Sequence, residues 1–312
     1  MKMGEPTPVA PNFKPTYVFD SEPPEKERLR LNTQHNSSVE NFGHLLPPAI
    51  PDHESLKAVA DIATGTGIWL TQLAESLPST VKLDGFDITD RLFPDASTLP
   101  ENVSFSILNV LEPVPEHLYE KYDLVHIRGL CLVLKTGEWD GVVKNIAKLI
   151  KPGGYLVWED TNPGSSQAIP PTKVANQAAA VLGYMCKLRG GDPLCCHSLP
   201  AHFKNNGFTM IPPPTERDPK HLPSAGVEFY LHISGKDFKP STVDIWSRNY
   251  VTAVCGIVSF MAQNNIPNEW FTPETVGKFV EELLQETGEG GSRMFFDLIS
   301  LIGKKGELPP GQ

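Results

Sequence analysis

The chain has 312 residues, 40% hydrophobic and 21% charged, enough for a full globular core in one large domain or one domain with an insertion. Its formal net charge is −10, with no basic cluster beyond short pairs such as Lys304–Lys305, which disfavours a nucleic-acid partner. No apolar run approaches the length of a membrane span and no secretory-type segment opens the sequence, so no membrane partner is expected, and the five cysteines read as reduced thiols in a cytoplasmic compartment.

Residues 1–16, rich in proline and small polar residues, predict a disordered tail. Residues 17–50 predict an N-terminal helical cap, from the helical leanings of "PPEKERLRLNTQHNSSVENFG". A domain is expected over 51–303. Its first half alternates strand-like and helical runs: "KAVADIA", a helix near Trp69–Leu77, "VKLDGFDI", "VSFSILNV", "YDLVHIRG", a helix in "EWDGVVKNIAKLI", the turn "KPGG" and the strand "YLVWED". Continuous apolar strands between helices imply an α/β, doubly wound parallel sheet covered on both faces. After Thr161 the pattern is less regular and reads as cap insertions. "PTKVANQAAAVLGYMCKLRG", "TVDIWSRNYVTAVCGIVSFMAQ" and "PETVGKFVEELLQETGEGG" predict helices, and "LPAHFKNNGF" a short helix ended by Gly207. "IPPPTERDPKHLPSAG" predicts a loop, "RMFFDLISLIGKK" a last strand, and 304–312 a flexible tail.

The chemistry concentrates at "VADIATGTGIWLTQLAESL", where an apolar run ends in Asp61 and a Gly-rich turn opens a helix. A dinucleotide fingerprint needs a third glycine where Leu70 stands, and a phosphate-binding loop needs a lysine after Gly67. What remains is an acid followed by Gly65 and Gly67 at a strand end. Such a turn brings backbone close to a ligand, and the helix N-terminus favours a carboxylate. Asp87, at the end of the next strand, has the spacing of an acid that accepts ribose hydroxyls; Asp84 is its rival.

The order "DIATGTG", "DGFDI", "ILNVLEPVP", "YDLVHIRGL" and "LIKPGGYLVWED" resembles the class I S-adenosylmethionine-dependent methyltransferases. With "YVFDSEPPEKERLRLNTQH" ahead of it, the sequence is similar to the fungal secondary-metabolism group, which includes gliotoxin-type N-methyltransferases and LaeA-like regulators. The resemblance implies a Rossmann-like sheet of about seven strands. It implies that Thr64, Gly65 and Gly67 lie against the methionine part of S-adenosyl-L-methionine, with Asp61 stabilising the turn or meeting the amino group. Asn109 and Val110 would border adenine; the family commonly has Asp where Asn109 stands. Arg128 would sit near the methionine end or hold a loop by an ion pair. Gln34 and His35 would cap the pocket, with Tyr17 closing it from the side.

The resemblance implies methyl transfer to nitrogen or oxygen of a small, largely apolar acceptor. His35, Glu159 and Asp160 are the candidate catalytic residues, although loop capping is the favoured reading of each of the two acids. His126 reads as a packed histidine. Trp246, Tyr250, Phe260, Met261 and Trp270 are either core or the roof of an acceptor pocket. Cys195-Cys196-His197 lacks metal-ligand spacing, so no metal is expected. Two other functions share these motifs: a cofactor-binding regulator of the LaeA-like type, and a cyclase or pericyclase on the same fold.

Overall fold

The computed structural model describes residues 23–50, 53–212 and 230–306. The expectations for Tyr17, the 1–16 tail and most of the Pro-rich loop lie outside the described residues.

α1 (Pro24–Phe42) opens with proline in its first turn and two early acids, and it closes on Gly43 in the left-handed region. Five parallel strands follow: β1 (Ala58–Ile62), β2 (Lys82–Asp87), β3 (Val103–Ile107), β4 (Tyr122–Arg128) and β5 (Ile150–Asp160). They lie in the order β3-β2-β1-β4-β5. Next come β6 (Gln167–Ile169), β7 (Phe208–Ile211), β8 (Tyr230–Ile233), β9 (Arg293–Phe295) and β10 (Leu298–Lys305). β10 runs antiparallel beside β5, and its far edge is shared: the first half pairs with β8, the second with β7. The sheet thus has seven positions across, one of them split between two strands. β6 and β9 form a separate antiparallel ribbon.

Helices cover both faces, as the apolar strand runs require. Ala58, Ala60 and Ile62 of β1 face one way, into a cluster with α3 (Trp139–Leu149) and α5 (Leu199–Asn205). Val59, between them, faces the other way, toward Trp69, Leu70 and Leu73 of α2 (Ile68–Ser76). A third core belongs to the cap: α4 (Lys173–Leu188), α6 (Pro240–Gln263) and α7 (Val276–Glu286) pack with the ribbon and with Phe42 of α1.

Two expectations need correction. "KPGG" is a bulge inside β5 rather than a turn before it: Tyr122 pairs with Ile150 but Leu124 with Tyr155. Gly153, at φ 78°, absorbs the extra residues without the chain leaving the sheet. "RMFFDLISLIGKK" is two strands. Ser165 Oγ accepts from Asp297 N–H and Asp297 C=O accepts from Thr161 Oγ, so the backbone there is taken from any ladder. The second strand continues through Lys305, beyond the boundary expected at 303.

Candidate active site

The strand order reverses between β1 and β4, and the crevice beyond their C-terminal ends is where such sheets receive ligands. Around that point β1 carries Asp61 one residue before its end, and β2, β4 and β5 end in Asp87, Arg128 and Glu159-Asp160.

The turn from β1 to α2 holds three residues in the left-handed region: Ala63 at φ 54°, Gly65 at 55° and Gly67 at 73°. A side chain on Gly67 would also drive its Cβ to 2.4 Å from the Phe105 ring. The turn is held from both sides. Thr64 Oγ donates to Asp61 Oδ2 at 2.6 Å, and Gly65 N–H donates to Asp87 Oδ2 at 2.8 Å. Asp87 also accepts from Ile88 N–H. Burial raises its carboxyl above the usual range, against the backbone N–H groups of Gly65, Ile88 and Thr89, which lower it. Those three donors leave acceptor capacity on a carboxylate with about four lone-pair positions. Ile107 pairs with Asp87 in the register; it and Ile88 are both exposed, which gives Asp87 an apolar margin. Asp84, the rival acid, is committed elsewhere: it accepts from Ser104 Oγ, Lys121 Nζ and Tyr122 OH. Asn109 turns its own loop, accepting from Leu111 N–H, and the Val110 carbonyl accepts from Asn145.

α1 lies over this turn. Leu31 Cδ1 is 3.5 Å from where a Gly65 Cβ would stand, and Thr66 Oγ donates to Asn32 Oδ1 at 2.6 Å. Gln34 is paired along its own helix with Arg30 at 3.1 Å. His35, at the same level, is buried and doubly engaged: Arg128 Nη1 donates to its Nδ1 at 2.9 Å, so its Nε2–H donates to Gln72 Oε1 at 2.9 Å. Burial and the Arg128 charge hold its pKa down at about 4.

Glu159 is buried too. Burial raises its carboxyl, but Arg128 and His126 outweigh that and hold it at about 2. Arg128 Nε and Nη2 donate to its Oε2 at 2.9 and 2.8 Å. Asp160 accepts from the N–H groups of Leu130, Cys131 and Thr161 and from Trp158 Nε1, which makes it the anchor of the loop after β4. So each of the three candidate catalytic residues is already engaged by neighbouring donors in this arrangement, His35 through both ring nitrogens and Glu159 through Oε2.

The residue that sequence reasoning undervalued is His126. It is packed, as expected, but its ring lies between Asp61 and Glu159. Three adjacent strand ends each carrying an ionisable group was the available signal. Gln72 and Asn32, which seat α1, carried no signal at all.

Elsewhere the aromatic segment packs in the cap core, with Phe260 and Trp270 only partly buried against it. Trp246 packs against Phe238 and Phe296 with ring centroids 5.1 and 5.0 Å apart, and Tyr250 and Met261 are buried with it. Cys195 and Cys196 are buried, with both thiols toward Thr161 C=O. Among the described residues no cluster of His, Cys, Asp or Glu is arranged to hold a metal ion, and no helix is long and apolar enough to cross a membrane.

Residues 53–202 match the family model of a methyltransferase domain, a span that includes the turn, Asp87, Arg128 and Glu159. The methyltransferase grgD of Penicillium sp is 37% identical over 177 residues, 54% of this chain and 61% of that protein. The N-methyltransferase sirN of Leptosphaeria maculans is 38% identical over 142 residues, 45% of this chain and 48% of that one. The chain thus spans about half to three-fifths of these relatives. Among solved structures, a Haemonchus contortus phosphoethanolamine N-methyltransferase 2 shares the fold, with TM-score 0.50 at 10% identity over 93% of this chain and 60% of that one.

Proposed function

We propose that the chain, whose residues 53–202 match a methyltransferase domain, is a class I S-adenosylmethionine-dependent methyltransferase that transfers the methyl group of S-adenosyl-L-methionine to a nitrogen of a small, largely apolar fungal metabolite. The observation that carries the reading is the turn at the switch point, gripped by Asp61 and Asp87 inside the span that matches the methyltransferase domain. The residues suit this cofactor. Asp87 retains acceptor capacity for ribose hydroxyls, Ile88 and Ile107 give an apolar margin for adenine, and Asn109 offers an amide beside it. Gly65 and the α2 N-terminus suit the carboxylate of the methionine end.

The bound cofactor supplies an already activated methyl group. The chain's own contribution is therefore alignment and exclusion of water, with α1 as the cover. Nitrogen is favoured over oxygen because His35, Glu159 and Asp160 are all engaged. An amine present as its free base needs no proton removed before attack, whereas an aliphatic alcohol does. The sirN relative, described as an N-methyltransferase, agrees with this.

Calorimetry with S-adenosylhomocysteine and with NAD tests the cofactor reading. Binding of the first and not the second is expected; tight NAD binding without any response to S-adenosylhomocysteine would overturn it. Incubation with methyl-labelled cofactor and extracts of a fungal producer, followed by mass spectrometry, identifies the acceptor. An enzyme that binds the cofactor and labels nothing would favour a binding-only role.

A further inference from the structure

The register of three strands brings four ionisable side chains into one buried row. Asp61 of β1 stands beside His126 of β4, and Arg128 of β4 stands beside Glu159 of β5. Each ring nitrogen of His126 faces a carboxylate: Nδ1 lies 2.7 Å from Asp61 Oδ1, and Nε2 3.4 Å from Glu159 Oε2. A neutral imidazole has one N–H, and its other nitrogen would turn a lone pair toward an anion. The ring face stacks on Trp69, with centroids 4.0 Å apart and planes 6° from parallel, a contact that favours a cation. With His126 charged, the row holds two anions and two cations; with it neutral, one buried carboxylate is left without compensation.

We propose that His126 is the positioning residue of the methyl-transfer site: held as a buried imidazolium, it locks Asp61 to Glu159 and so couples the glycine turn to the Arg128–His35 bridge that seats α1. On one side the lock runs through Asp61 to Thr64; on the other through Glu159 to Arg128, His35 and Gln72. The ionisable groups facing the ring are Asp61 from β1 and Glu159 from β5. Arg128 lies behind Glu159, and His35 of α1 and His44, just after α1, complete the surroundings. Burial alone lowers the ring's basicity, and the two carboxylates more than reverse that. The proposal rests on the methyl-transfer reading only for the use to which the lock is put; the lock itself is testable without any cofactor.

Nitrogen-15 spectra of the ligand-free protein give the first arm. Both ring nitrogens of His126 are expected to be protonated at pH 7, above the ordinary imidazole midpoint near 6.5, because each faces a carboxylate. The second arm is His126→Gln, which keeps one donor and loses the charge. Amide exchange of residues 24–42 is expected to quicken by about tenfold, the scale of a coupling near 1.4 kcal/mol, with residues 139–149 unchanged. S-adenosylhomocysteine should bind about tenfold more weakly. A packing role alone would lower the melting temperature and raise exchange evenly. A neutral ring at pH 7, or unaltered α1 exchange in a folded His126→Gln protein, overturns the proposal; if that variant does not fold, the spectra decide. If both arms hold and the wild type binds no S-adenosylhomocysteine, the lock stands and the methyl-transfer reading falls.

Discussion

Two aspartates on one strand separate binding from stability. Asp87→Ala removes the acceptor proposed here for the cofactor and frees the Gly65 N–H, so cofactor affinity is expected to fall by about 2–3 kcal/mol, the scale of charge-assisted hydrogen bonds. Asp84→Ala leaves the hydroxyl of buried Tyr122 without its partner and should cost about 1–3 kcal/mol of stability with little change in affinity. Calorimetry and urea unfolding on both variants check this; a larger binding loss at Asp84 would mean that the wrong acid has been assigned. His35 gives a pH signature. Its folded pKa is lowered from 6.5 to about 4, so the folded state binds the proton less readily than the unfolded chain. This contribution is therefore full above pH 6.5 and declines as pH falls toward 4; His126, whose pKa is raised, works the other way, its contribution being full below pH 6.5 and lost as pH rises. Glu159, lowered from 4.5 to about 2, adds its own loss only below pH 4.5. Urea unfolding at pH 7 and pH 5 should show a drop in the wild type that flattens in His35→Gln. At this scale the sequence located the acids and the glycines well, because turn geometry and strand ends demand them. It could not assign roles to His35, Glu159 and Asp160, because those depend on partners 30 or more residues away, such as Arg128 for His35 and Leu130 for Asp160.

α1 is held at its two ends by different means. Toward its N-terminus it bonds to the site: Arg28 to the Leu92 carbonyl, Asn32 to Thr66, His35 to Gln72. Toward its C-terminus buried Asn41 ties it to α6, donating to Thr242 Oγ and accepting from Lys239 N–H. Truncation through His35 therefore strips the cover from the turn and spares the Asn41 tie. We expect native-like circular dichroism and lost turnover from that truncation, and near-neutral behaviour on deletion of 1–16; full activity of the longer truncation would remove the cover from the mechanism. Helices such as α3 and α6 were legible from their apolar faces, whereas the buried face of α1 is mainly polar, with Glu27, His35, Ser37, Ser38 and Asn41. The bulge in β5 and the break before β10 were not. Gly153 reads equally as a turn, and the break depends on Ser165 and Thr161 reaching Asp297 from more than a hundred residues earlier.

For the molecule as a whole, the parallel half of the sheet was legible from its strand–helix alternation, since both faces of each strand must be apolar. The antiparallel half was not, because β7 and β8 are short and their place is set entirely by β10. That strand, the last described element, lies between β5 and both of them, and joins residues near 155–160 to residues 208–211 and 230–233. A ribosome delivers it late. Until residues 298–305 emerge, a nascent chain carries Asp160 and Glu159 on an open sheet edge, with Trp158 of the same strand short of its neighbour Leu301. Such an edge invites pairing with other chains and holdase capture. A chain stopped after residue 297 should accordingly remain protease-sensitive beyond residue 150, although it contains the whole of the matched domain sequence. Assembly of the strand ends that carry Glu159 thus waits on residues 298–305, so the site cannot close as soon as its own residues have been made.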